Sequence, residues 1–507
     1  MATQASTNEA YNELLDRYSK VADLESAAEV LRWDQDTKMP AGGNTVRSRQ
    51  LARLSSLSHN LFVDERTGEL LDVLEAGDLS TEQEAVVREL RFQYDRKTRV
   101  PEELVDELTA AKSDTRMIWE EAKAESDFDR FAPALENLRT LHVERARHID
   151  PDKSPFEVMH EGEAYTDPMR DVPLEVVEDI FDQLREEIVP LVDEIKQDSS
   201  ELPDRFAELG PYDIETQYEL CEEALNVVQY DKDRGRLDTS AHPFTSGNQF
   251  DCRITTRFDE QTFASGLSST IHEFGHAAYY HGIPKEHYGS PLGEARGPGV
   301  HESQSRFWEN HIGRSRAFWE RFLPTAKEYF PQIEEITVDE AYQAVNRIYP
   351  QNCIRVEADE LTYHLHIMLR YEIGRAFVEG DIDVEEIPDV WNDKMDEYLG
   401  VRPETDAEGC LQDIHWSGGF ASFENYTVGS VLAAQIDTTM RDELGDVDEL
   451  IRNGEFGPIH EWMTENIHRH GQRYRTDELI ERATGEPLTA EYFIEYVKEK
   501  YSELYDL

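Results

Sequence analysis

Cysteine is scarce in this 507-residue chain, which has four in all, at Cys221, Cys252, Cys353 and Cys410. Their wide spacings exclude a disulfide framework and a structural zinc cluster, and point instead to small buried side chains in a reducing compartment. No run of about 18 apolar residues occurs, so no membrane-spanning helix is expected. Residues 1–10 are polar, without the basic-then-apolar order of a secretory leader, and the expected location is the cytoplasm. There is no Gly/Ser/Pro-rich linker, repeat or low-complexity tract. Basic charge is short as well. Asp and Glu total 107 against 51 Lys and Arg, a formal net charge of −56, and only 13 of the 51 are Lys. The acids are spread along the whole chain, so this charge belongs to the surface at large and not to one patch. Nucleic acid is excluded as a partner, because its phosphates would meet a field of their own sign. Self-repulsion on this scale is relieved by screening, which fits a high-salt cytoplasm such as that of a halophilic archaeon.

What the chain does have is helical periodicity almost throughout, and 39% hydrophobic residues to build a large core. Helices are expected at 81–98, with Ser80 and Gln83 as a capping box, and at 101–124, with Pro101 as the first helical residue. Others are expected at 177–197, 338–346 and 359–378. Strand signal is confined to a short alternating stretch within residues 250–258. The expected fold is mainly α, one domain over residues 1–507. It is a large helical body around a deep cleft, with the amino-terminal helices as a lid and a small β-sheet near the helix described next.

That helix, expected over 264–280, carries His272-Glu273-Phe274-Gly275-His276. Positions i and i+4 share one helix face, so both imidazoles can reach a single metal ion. Glu273 between them can act as general base on a water held there, the arrangement of a zinc-dependent peptidase. Leu267, Ile271, Phe274 and Ala278 give the helix its apolar face. Ser268, Ser269 and Thr270 can cap or start it, and Gly282 and Pro284 end it. Gly275 lowers helix propensity but lets another segment come close.

A catalytic site of this kind needs a third protein ligand and an open position. After the turn at Gly297-Pro298-Gly299, a second amphipathic stretch begins at His301-Glu302-Ser303-Gln304 and runs past Phe307, Trp308, Ile312, Phe318, Trp319 and Phe322. Glu302 is the first choice of ligand. His301 and Glu309 compete with it, Glu309 being the better runner-up, two turns along the same face. Further chemistry-bearing segments are His242-Pro243-Phe244, the run from Asp251 to Arg257, Ile354-Arg355-Val356-Glu357-Ala358-Asp359, and the run from Gly409 to Trp416. Tyr426 follows the last of these.

In that order HPF, DCRIT, HEFGH, HESQ, IRVEAD and GCLQDIHW resemble the signature motifs of the M32 metallocarboxypeptidase family. The stretch from Trp33 to Pro40 is similar to the family's amino-terminal region, so the resemblance covers essentially the full chain. It implies His272, His276 and Glu302 as metal ligands and Glu273 as the catalytic carboxylate. One divalent ion per chain follows, zinc or cobalt, since a His₂Glu set accepts both. The activity implied is release of single carboxyl-terminal amino acids from peptides, with broad side-chain specificity, by a homodimer. An exopeptidase of this type must also read a terminal carboxylate. Arg355 is the first choice because a guanidinium grips a carboxylate as a bidentate fork, and Arg253 is the alternative. His242, His415 and Tyr426 are donors to the substrate backbone or the developing oxyanion. A zinc oligoendopeptidase or dipeptidyl peptidase on a related scaffold would share the metal chemistry but lack the carboxylate-reading Arg.

Overall fold

Helix starts follow the side chains able to satisfy the first free N–H groups of each helix. The computed structural model describes residues 4–162, 170–197 and 202–507. Ser80 and Gln83 form the expected capping box of the helix Thr81–Arg99. Pro101 is not the first helical residue. Its ψ of 140° is extended, so it caps the helix Glu102–Glu125 from outside. The helix expected at 177–197 starts earlier, as Leu174–Gln197, and 338–346 appears as Val338–Asn346. The one expected from residue 359 begins only at Tyr363. Asp359 instead spends its carboxylate on the backbone N–H groups of Tyr349, Leu361 and Thr362, at 2.7–3.0 Å, and closes a loop.

The described residues are mainly α-helical with one small sheet. Its strands β1 (Leu237–Thr239), β2 (Thr245–Gly247) and β3 (Cys252–Thr256) lie in the order β1-β3-β2, parallel then antiparallel. Only β3 was within the stretch that alternates in sequence; β1 and β2 have three residues each, too few to show a period. β2 and β3 lie against the helix Phe263–Gly282, which carries HEFGH. Thr262 caps that helix, accepting from the N–H of Ala264. Ser268, Ser269 and Thr270 therefore sit inside it and do not start it.

The long amphipathic stretch after Gly299 is not one helix either. It divides into Pro298–Arg306, a π-helical segment Phe307–Gly313, and Arg316–Tyr329 capped by Ser315. Pro298–Arg306, the HESQ helix, is wedged between two others at glycines. A methyl on Gly275 would stand 2.6 Å from the carbonyl oxygen of Gln304 and 2.6 Å from Cα of Ser305. One on Gly429, in the helix Glu424–Leu444, would stand 2.6 Å from Cγ of Glu302. Both glycines exist for close approach.

Two large apolar cores result. The HEFGH helix, Phe307, Trp308 and Trp319 belong to one; Leu365, Trp391, Leu411, Trp416 and Phe423 belong to the other. Glu424–Leu444 is shared, with Val428 and Val431 in the second core and Leu432 and Ile436 in the first. The HEFGH and HESQ segments lie on one side of this seam and the IRVEAD and GCLQDIHW segments on the other. Cys221, Cys252 and Cys410 are buried, as expected, and Cys353 is only half-buried; all four are unbridged, and burial pushes the Cys221 thiol up to about 12. Among the described residues no helix is long and apolar enough to cross a membrane.

Candidate metal centre and active site

His272 and His276 stand side by side one turn apart, ring centroids 5.0 Å apart. Each Nδ1 is engaged from behind. His272 Nδ1 lies 2.9 Å from Oε2 of Glu309, and His276 Nδ1 lies 3.2 Å from the backbone carbonyl of His301. These bonds fix the tautomer that presents both Nε2 lone pairs forward. Oε2 of Glu302 faces them, 3.8 Å from Nε2 of His272 and 3.5 Å from Nε2 of His276. Ligands about 2.1 Å from a tetrahedral ion stand about 3.4 Å apart, so the three donors fit one divalent cation with small adjustment. Their side chains keep 10–18% exposure, so solvent reaches the group.

The competitors for third ligand take other roles. Glu309, on the π-helical segment, is the carboxylate behind His272. It also holds Arg306, at 3.3 Å, Arg314, at 2.7 Å, and the hydroxyl of Ser268. His301 stacks on His276 at 4.3 Å and supports it. Arg306 donates from Nε to the second oxygen of Glu302 at 2.8 Å. Burial works to raise Glu302, but Arg306 and the two imidazoles outweigh it and hold the carboxyl far below the usual range. It stays ionised, the form a metal ligand requires.

Glu273 is buried, and the hydroxyl of Thr245 in β2 lies 2.7 Å from its Oε2. The sheet thus orients the carboxylate between the histidines. Nothing in the sequence distinguished Thr245, because the contact is made across 28 residues of chain.

On the other side of the seam, Arg355 gives Nε and Nη2 to Asp413 at 2.9 and 2.7 Å, and Nη1 to the hydroxyl of Tyr363 at 3.2 Å. Arg370, fully buried, shares the same Asp413 and also donates to Gln412. Burial and repulsion from Arg355 outweigh Asp413 and bring Arg370 down to about 10. His415 lies 3.2 Å from Asp413 through Nδ1 and 3.4 Å from the hydroxyl of Tyr426 through Nε2. Arg355, His415 and Tyr426 therefore form one group, which Tyr363 and Arg306 connect to the metal ligands. Arg253 and His242 stand apart, on the sheet. Arg253 is paired with Asp251 at 2.6 and 2.9 Å and lies over Trp33 at 4.4 Å. His242 is exposed, beside β2.

Two helix-borne histidines, a facing carboxylate from the next helix and an acid between the histidines are the constellation of a metallopeptidase of the HExxH type. A family model described as "Carboxypeptidase Taq (M32) metallopeptidase" matches residues 13–501. Thermostable carboxypeptidase 1 of Thermus thermophilus is 39% identical, over 98% of this chain and 99% of its own length. Carboxypeptidase 1 of Bacillus subtilis is 38% identical, over 97% and 98%. The crystal structure of an M32 carboxypeptidase from Deinococcus radiodurans superposes with a TM-score of 0.94 at 36% identity, covering 98% of this chain and all of that one. The chain belongs to the M32 family and is a metallocarboxypeptidase, dependent on a divalent metal.

Proposed function

We propose that this enzyme removes single amino acids from the carboxyl end of peptides, using one divalent ion held by His272, His276 and Glu302. Zinc is the first choice, with cobalt the other ion this donor set suits. When bound, the ion supplies Lewis-acid polarisation of the scissile carbonyl and lowers the pKa of a nearby water. Glu273, steered by Thr245, takes the proton of the attacking water and delivers it to the leaving amine. His415 and Tyr426 donate to the substrate backbone or to the developing oxyanion, with His242 approaching from the sheet side.

The observation that carries the exopeptidase reading is the charge count around Asp413. Two buried guanidiniums, Arg355 and Arg370, share that single carboxylate, which leaves one positive charge for an incoming anion. Arg355 is the reader of the terminal carboxylate. Both arginines already hold a carboxylate through Nε and Nη2, but Asp251 pairs with Arg253 alone, whereas Asp413 is shared between Arg355 and Arg370, so Arg253 is the weaker choice. The same reading includes broad side-chain specificity, a homodimer, and a cytoplasmic location at high salt. The amino-terminal helices serve as a lid, a role supported by Asn248 bonding to Ser26 at 3.0 Å and by Arg253 stacking on Trp33. Digestion of an amino-terminally blocked peptide tests the mode of attack. Stepwise loss of single residues is expected, and internal fragments would overturn it. Glu273→Gln is expected to retain metal and lose turnover by at least about 10²-fold; an active variant would refute the base assignment.

A further inference from the structure

The contacts around Tyr363 assign it a part in recognition. We propose that its phenolic hydroxyl donates to the substrate's terminal carboxylate, making the anion's recognition a two-point contact with Arg355. This rests on the reading of Arg355 given above. An extended residue spans about 3.3–3.6 Å, so the carboxylate of a one-residue product must be read within about a side chain of the metal centre. Tyr363 stands there. Its ring lies 4.9 Å from Cζ of Arg306, whose Nε holds the metal ligand Glu302 at 2.8 Å.

The phenol oxygen accepts from Nη1 of Arg355 at 3.2 Å, which leaves its own hydrogen to be placed elsewhere. The guanidiniums beside it, Arg306 and Arg355, have no acceptor to offer, and the carboxylate whose charge reaches it, Glu302, is engaged by Arg306 through Oε1 and faces the two histidines with Oε2. Tyr426 presents its ring at 6.2 Å and nearly perpendicular, closing a further side. Among the described residues no side chain forms a hydrogen bond that accepts the Tyr363 proton, and the residue is only half-buried. An anion seated on Arg355 supplies the missing acceptor.

The test compares inhibition of the metal-loaded enzyme by an N-acyl amino acid and by its primary amide, which differ only in the carboxylate. The wild type is expected to prefer the acid. Tyr363→Phe keeps the ring over Arg306 and is expected to lose about 10- to 100-fold of that preference, as for a hydrogen bond to a charged group. KM for peptide is expected to rise more than kcat falls. Arg355→Gln is expected to lose at least as much preference. If Arg355→Gln loses the preference while Tyr363→Phe keeps it, the role of Tyr363 is refuted and that of Arg355 stands. If Arg355→Gln keeps it, the carboxylate reading fails and this inference falls with it.

Discussion

Replacing Gly275 by alanine sets helix propensity against packing, and the two predict opposite signs. Propensity alone favours Ala in a helix interior by about 1 kcal/mol. Against it, the new methyl would lie 2.6 Å from the Gln304 carbonyl oxygen, 2.6 Å from Cα of Ser305 and 2.9 Å from the Gln304 carbonyl carbon. Heavy-atom contacts rest near 3.5 Å, so the overlap is about 0.6–0.9 Å. All three atoms are backbone, so no rotamer change relieves it. Overpacking of this kind costs about 1–3 kcal/mol, and the net expectation is a loss of up to about 2 kcal/mol. The alternative is retreat of the HESQ helix, which Gly429 blocks from behind at Glu302 itself. Any retreat moves Glu302, the proposed metal ligand, and a shift near 1 Å costs about 10²-fold in rate. Thermal unfolding of the metal-free protein, chelator competition for metal and kcat/KM together read the effect. All three are expected to worsen. A variant that melts higher than wild type with unchanged metal affinity would refute the wedge.

Three further perturbations follow from the same contacts. Glu309→Gln removes the charge behind His272 and is expected to weaken metal binding about 10- to 100-fold by chelator competition, with the fold intact by circular dichroism. Glu29 is raised to about 7, mainly by burial and with help from Glu25. Its folded pKa lies above the ordinary 4.5, so the folded state binds the extra proton between those values and stability falls as pH rises through that window. Glu29→Gln is therefore expected to stabilise by about 1–2 kcal/mol at pH 8, after discounting for partial exposure, and hardly at all at pH 4.5. Denaturant melts at the two pH values would show it, and an equal effect at both would refute it. Finally, raising salt from 0.1 to 1 M shortens the screening length from about 10 to 3 Å, so Tm should climb across that range; a flat profile would contradict the high-salt reading.

The grouping of the candidate metal donors and candidate base was legible in the sequence because the HEFGH spacing already contains the geometry: one helix turn fixes both histidines and the acid between them. Glu302 was legible only as the first of three options. What separates it from Glu309 is the π-helical segment that turns Glu309 behind His272, and no periodicity in FWENHIG announces that change of pitch. Helix existence was readable from caps and apolar spacing, and boundaries less so. Pro101 and Asp359 each satisfy two plausible roles, and tertiary contacts choose between them. Thr245 and Tyr363 were invisible for a different reason. Their chemistry comes from partners 28 and 8 residues away, on other elements, and neither side chain is unusual in itself.

The charge balance looks unfavourable for an enzyme whose ligand is an anion, since a chain of −56 repels a carboxylate at long range. Range resolves the conflict. At physiological ionic strength the screening length is about 8 Å, and at higher salt it is shorter, so an arriving peptide feels chiefly the groups within one or two side chains. Near Asp413 those groups carry a net positive charge, with two guanidiniums to one carboxylate. Near the metal ligands, Arg306 and Arg314 balance Glu302 and Glu309. The buried site thus sets its own local field, and the acidic surface acts on it only where salt is low. A salt-rich surrounding relieves the surface and clears the approach to the site in the same step.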